Sequence, residues 1–178
     1  MFDLNNLDNG GFFVKSDFLK PEDFSYIKKE IKNIEYNSTY QPISSYYGNR
    51  YQAYPCYENR NVNFDKFFLP KFKENFGKKI KKVSSTIRKV LSKELLQSKV
   101  NTNIGLIHTD GSKYAAIFYF DQTSNGGTAF FQNTWDKYPD VTIGSYPNRL
   151  VVYSGKKPHA PMHDFSFEER YIIAYFIE

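Results

Sequence analysis

The chain has 178 residues, 40% hydrophobic and 19% aromatic, with 24 basic against 19 acidic side chains for a formal charge of +5. Its fifteen Tyr and seventeen Phe exclude a solvated, disordered chain, and the length suits one domain, expected over residues 1–178. A single cysteine, Cys56, excludes an internal disulfide and a cysteine-based zinc cluster, and no apolar run approaches the ~20 residues of a membrane span, so a soluble, cytoplasmic setting is expected.

In chain order, Phe12–Val14 predicts a short strand. Pro21–Ile31 predicts a helix, with proline in the first turn, carboxylates just after it, and Phe24, Ile27 and Ile31 at helical spacing. From Tyr36 to Asn63 the pattern is irregular, rich in Tyr and punctuated by Pro42, Gly48 and Pro55, which predicts short strands and loops and a candidate lid. Between Pro70 and Lys99 the apolar positions Phe72, Phe76, Ile80, Val83, Ile87, Val90, Leu91 and Leu95 recur every three or four residues, predicting a long amphipathic helix. Most of the excess positive charge falls between Lys66 and Lys99, where it reads as the solvated face of that helix or, less favourably, as a phosphate-binding surface for nucleic acid.

The period then changes. Thr102–Ile107, Tyr114–Phe120, Thr128–Phe131, Leu150–Tyr153 and Tyr171–Ile177 read as strands separated by Gly-Gly, Pro-Asn and Ser-Gly turns. The expected fold is therefore mostly β with flanking helices: a jelly-roll, cupin-like core preceded by an N-terminal helix and a long amphipathic helix.

His108-Thr-Asp110 is the candidate centre of chemistry. Residues two apart at a strand end project to the same side, so imidazole and carboxylate can converge on one ion. Two His and one carboxylate are the donors of the facial triad that holds non-haem Fe(II) and leaves positions open for substrate and oxygen. His159 and His163 are the only other histidines, and His159 is preferred because it lies just beyond a predicted strand, whereas His163 lies in a loop. Arg170 opens an apolar strand. Pointing inward it needs an anion, and its planar fork suits a carboxylate; beside Glu168 and Glu169 it could instead face solvent.

These segments, taken in order, resemble the Fe(II)/2-oxoglutarate-dependent dioxygenases, prolyl-hydroxylase-like branch. Phe12 to Asp23 is similar to that branch's opening strand and helix, His108-Thr-Asp110 to its His-x-Asp, and Tyr119-Phe-Asp121 with Gly126-Gly127 to its Tyr-Leu-Asn strand end and following glycines. Asn148–Tyr153 with Pro158-His159, and Arg170–Tyr175, resemble the stretch carrying the distal histidine and the co-substrate-binding basic residue. The resemblance implies a double-stranded β-helix in which His108, Asp110 and His159 ligate iron. It also implies that Arg170 and the Tyr119 hydroxyl hold the distal carboxylate of 2-oxoglutarate. Where many members have a tyrosine before the His-x-Asp, this chain has Asn101, Asn103 and Gly105, and an asparagine there is a candidate contact for the proximal carboxylate.

The implied reaction uses O2 and 2-oxoglutarate to hydroxylate an unactivated C–H bond, and the carboxylate at position 110, absent from halogenases of this type, favours hydroxylation. A peptidyl proline is the leading substrate. A nucleobase, as for demethylases of the same fold, and a non-catalytic cupin-like binding protein are the competing expectations.

Overall fold

The structure, a computed structural model, describes residues 1–44, 51–77, 80–97, 104–121 and 125–178. In order, the elements are α1 (Leu4–Asp8), β1 (Phe12–Lys15), α2 (Pro21–Glu30), β2 (Asn37–Ser44), β3 (Tyr51–Asn59), α3 (Asp65–Phe76), β4 (Val83–Leu91) and α4 (Ser92–Gln97). They continue with β5 (Tyr114–Tyr119), β6 (Gly127–Phe130), β7 (Val141–Gly144), β8 (Arg149–Ser154), β9 (His159–Met162) and β10 (Glu169–Ile177). Seven strands form one sheet in the order β1-β8-β5-β10-β4-β3-β2, and three form a second in the order β7-β6-β9. Every pairing is antiparallel. Two sheets face to face, largely β with few helices, are consistent with a jelly-roll core.

The period-2 alternation of the central strands divides their side chains between two layers. One face of the large sheet offers Tyr114, Ala116 and Phe118 of β5, Leu150 and Val152 of β8, and Tyr171, Ile173, Tyr175 and Ile177 of β10 to the helical side. The other face turns Ala115, Tyr119, Val151 and Tyr153 toward the small sheet, where they meet Phe130 and Ile143. The functional side chains described below come from this second face, from the small sheet, or from the segment before β5 that bridges to it.

The helices cover the first face with aromatic rings. In α3, Phe68, Phe72 and Phe76 recur four apart and are buried. Phe68 meets Phe118 edge to face at 5.0 Å and Tyr175 at 4.9 Å. Burying a Phe side chain stabilises by roughly 1.5–3 kcal/mol, so the three together outweigh the roughly 3 kcal/mol that Pro70 costs inside the helix. In α2, Pro21 sits in the first turn with Glu22 and Asp23, and Lys28 and Lys29 sit in the last, a charge order that complements the helix dipole. Lys28 then bonds Asp121 at 3.1 Å and the Phe120 carbonyl at 3.1 Å, fixing α2 to the end of β5.

The long amphipathic helix expected over Pro70–Lys99 is not present. The helix ends at Phe76, where Gly77 takes φ +68°, and Val83–Leu91 is instead strand β4, followed by the short α4. The apolar positions 83, 87, 90 and 91 fit a helical period, but Val83, Thr86, Ile87 and Val90 are β-branched and pair with β10 along its whole length. That non-local ladder overrides the local pattern. The basic residues therefore do not form one solvated helix face: Lys89 pairs with Glu169 at 3.2 Å, while Arg88 turns to the cavity side.

Tyr36–Asn63, expected as short strands and loops, holds the longer β2–β3 hairpin, which extends the edge of the large sheet. Of the strand expected over Thr102–Ile107, residues 102 and 103 lie outside the described residues; from 104 onward only bridges remain, Ile104 to Met162 and His108 to His159. No helix among the described residues is long and apolar enough to cross a membrane.

Candidate metal centre

His159 opens β9 in the small sheet, and His108 is bridged to it, each backbone N–H donating to the other's carbonyl at 2.9 Å. That reciprocal pair brings the two rings to a centroid distance of 4.3 Å. Two residues later the Asp110 N–H bonds the Gly155 carbonyl at 2.7 Å, and the Gly155 N–H bonds Lys113 at 2.9 Å, so the Asp110 turn is pinned to the end of β8. A Cβ on Gly155 would lie 2.0 Å from the Ser112 carbonyl oxygen, so only glycine permits this approach. His159 is thus delivered by a strand of the small sheet rather than by the end of β8.

The side chains converge. Asp110 Oδ2 lies 3.5 Å from His159 Nε2, Asp110 Oδ1 lies 3.9 Å from His108 Nε2, and the three possible donor atoms all fall within 4.8 Å of one another. With metal–donor bonds of about 2.1 Å, one ion spans donors up to about 4.2 Å apart, so the trio is close to ligation spacing. His163, the other histidine, is buried in the neighbouring recess that also holds Arg170.

Protonation suits a cation. His108 Nδ1 and His159 Nδ1 each lie 2.9 Å from a backbone carbonyl, of Leu106 and Lys157 respectively. A carbonyl only accepts, so both Nδ1 atoms carry a proton, and in the neutral ring Nε2 is the nitrogen left with a lone pair for a cation. Burial, with the charge of His108 next, pushes His159 down to about 3 and keeps it neutral. Burial also raises Asp110, opposed by His108, Arg88 and the Tyr153 hydroxyl. A desolvated carboxylate facing two imidazole Nε2 atoms gains from a divalent ion what it lost in water. The donor set therefore fits a borderline metal such as Fe(II).

Tyr153, which the sequence reading passed over, stands beside the trio. Its buried hydroxyl is 3.0 Å from His159 Nε2 and 3.5 Å from Asp110 Oδ2. Burial raises this phenol well above its ordinary value, so it remains a proton donor.

The adjoining recess is lined by Tyr119, Thr128, His163, Arg170, Arg88 and Ile172, among others. Arg170 is only 8% exposed, with its guanidinium 5.7 Å from the Tyr119 ring centre; Nη1 donates to the Met162 carbonyl and Nη2 to that of Gly127 at 3.4 Å. A carbonyl so placed needs Gly127 to pass close to β7. Its φ is +148°, and a Cβ there would lie 2.1 Å from the Ile143 carbonyl oxygen. The Tyr119 hydroxyl contacts Thr128 Oγ1 at 2.5 Å, and burial raises its pKa, leaving an uncharged hydroxyl beside the guanidinium. Arg170 therefore faces inward, not to solvent. Asn101 and Asn103 lie outside the described residues.

No protein-family profile and no curated protein sequence matches the chain. Solved structures do match. One is a prolyl hydroxylase in complex with a hypoxia inducible factor oxygen degradation domain peptide fragment from Trichoplax adhaerens, with TM-score 0.64, 12% identity, and 98% of this chain and 86% of that one covered. Another is a prolyl-4-hydroxylase from Pseudomonas putida, with TM-score 0.64, 13% identity, and coverage of 98% and 95%. A third is HygX from Streptomyces hygroscopicus with nickel, 2-oxoglutarate and hygromycin B bound, with TM-score 0.61, 8% identity, and coverage of 97% and 84%. The solved structures that share this fold include 2-oxoglutarate- and Fe(II)-dependent oxygenases, prolyl hydroxylases among them. At these identities the likeness is one of fold, to which the chain's own His108, Asp110 and His159 add a potential metal site.

Proposed function

We propose that the protein is an Fe(II)- and 2-oxoglutarate-dependent dioxygenase that hydroxylates an unactivated C–H bond, with a peptidyl proline as its substrate. The observation that carries the reading is the convergence of His108, Asp110 and His159, lone pairs inward, next to a recess walled by a buried guanidinium. A shared fold alone would not license it, since one scaffold hosts many functions.

In this reading His108 and His159 hold Fe(II) through Nε2 and Asp110 holds it through its carboxylate. The bound ion, with 2-oxoglutarate and O2, supplies the oxidising chemistry that turns C–H into C–OH and releases succinate and carbon dioxide. The chain supplies binding, orientation and dryness. Arg170 receives the distal carboxylate on its planar fork, and the Tyr119 hydroxyl adds a neutral donor. Tyr153, its phenol protonated, donates to the Asp110 oxygen and holds that carboxylate in one orientation. Ile117, Ile172 and Ala174 wall the site with apolar surface that excludes water. His108 is the most open of the three, its side chain 36% exposed, and marks the side from which substrate reaches the centre.

A peptide substrate draws support from the prolyl hydroxylase of the same fold whose structure includes a peptide fragment. The reading is tested by adding Fe(II) and 2-oxoglutarate without oxygen and recording the weak visible charge-transfer band, expected in the native protein and absent in Asp110→Ala. Succinate release is then screened with proline-containing peptides against methylated oligonucleotides. Stimulation by oligonucleotides alone would transfer the substrate to nucleobases, and no band in the native protein would favour a non-catalytic binding protein.

A further inference from the structure

Arg88 lies in the middle of β4, and the register of the sheet fixes the side it faces. Arg170 pairs with Val90 and Ile172 pairs with Arg88, so Arg88 and Arg170 are diagonal neighbours on one face of the β4–β10 ladder. Such neighbours lie about 7–8 Å apart at Cα. Ile87 and Ile173 belong to the opposite, aromatic-packed face. Arg88 lines the recess of Arg170 and also the one containing His108, Asp110 and His159, and the two recesses share Ile117, Pro161 and Ile172 as well. They meet at Arg88.

Its guanidinium is held from one side only. Nε donates to Glu58 Oε1 at 3.0 Å, while Glu58 Oε2 accepts from Arg60 Nη2 at 2.9 Å. One carboxylate is divided between two guanidiniums, so the cluster keeps a positive charge. Among the described residues no contact engages Nη1 or Nη2 of Arg88, which leaves the end-on pair of nitrogens for a planar acceptor with two oxygens. A purely structural ion pair between β3 and β4 would need Glu58 alone and no continuity with both recesses. Two guanidiniums on one face of one continuous lined space, Arg88 at the junction of the recesses and Arg170 in the one beside it, suit a ligand with two anionic ends.

We propose that Arg88 is a second carboxylate anchor of this cavity, gripping the 2-oxo-acid carboxylate of the co-substrate, the end nearer His108, Asp110 and His159, while Arg170 takes the other end. The inference rests on the co-substrate reading above and adds a residue to it.

The test is calorimetric and needs no turnover. The protein is loaded with Mn(II) under nitrogen and titrated with 2-oxoglutarate and with 2-oxopentanoate, which keeps the 2-oxo-acid carboxylate and lacks the distal one. Arg88→Met should weaken both ligands about 10- to 100-fold, the loss of a charged hydrogen-bonded pair, whereas Arg170→Met should weaken 2-oxoglutarate and spare 2-oxopentanoate. Arg88→Lys keeps the charge and the Glu58 pairing but not the fork, so it should show a smaller loss for both ligands, and it decides the matter if the Met variant does not fold. Unchanged affinity for both acids in the folded Arg88 variants overturns the proposal, and so does a loss confined to 2-oxoglutarate. Native protein that takes up Mn(II) yet binds neither acid removes the co-substrate reading itself, a result separate from any behaviour of the variants.

Discussion

His163 should make the protein lose stability in mild acid. It is 3% exposed, and burial, with the Arg170 charge second, pushes it down to about 3 from an unfolded value of 6.5. Between those values the unfolded chain takes up a proton that the folded chain refuses, so this contribution is fully present above about pH 6.5 and is lost as pH falls toward 3. Integrated from about pH 7.5 to about pH 5, one such histidine costs about 2 kcal/mol, and the figure hardly changes for any folded value below about 4. His159, also held near 3, acts in the same direction. Urea unfolding followed by far-ultraviolet circular dichroism, in chelator, should therefore show a steep acid loss in the native protein and one about 2 kcal/mol smaller in His163→Gln. Parallel stability curves for the two proteins would refute a buried neutral imidazole at this position.

Three further outcomes follow from the centre. Mn(II) should raise the thermal midpoint of the native protein and of His163→Ala but not of Asp110→Ala or His159→Ala, because an ion bound only by the folded state stabilises it by mass action; a shift retained in His159→Ala would move the third ligand elsewhere. Tyr153→Phe removes the hydroxyl bonded to Asp110 and His159 and should weaken Mn(II) by about 10-fold, as loss of a supporting hydrogen bond around a metal does; equal affinity by metal titration would leave Tyr153 as packing alone. Gly155→Ala forces a Cβ into the Ser112 carbonyl and should both destabilise the fold by roughly 1–3 kcal/mol and lower metal affinity, since Asp110 hangs from the Gly155 carbonyl; denaturation and metal titration of one sample check the pair of effects.

How much of this was legible in the sequence depended on whether the deciding contact was local. Tyr114–Phe120 and Tyr171–Ile177 read correctly as strands because both faces are buried, giving β-rich runs bounded by turn residues. The helix at Pro21 was written in its first-turn proline and ordered charges. β4 was not legible: its apolar residues satisfy a helical period and a strand period equally, and only the ladder with β10 chooses between them. That misreading hid Arg88, whose direction exists only in a strand. β7 and β9 have four residues each, too few for a period to show. The trio itself was legible through scarcity, since three histidines leave few combinations, but the means of bringing His159 to His108, a bridge onto the small sheet, was not. Tyr153 was concealed as one more aromatic among many.

Because His159 belongs to the small sheet and Asp110 is moored to the end of β8 in the large one, a cation held by both would clasp the two layers of the sandwich at one rim. Loading would then be felt as mechanical stiffening along β9: the amides of His108 and His159, which lock to each other, should trade hydrogen for deuterium more slowly in the filled protein than in the stripped one, and the rim would yield first whenever the ion is withdrawn.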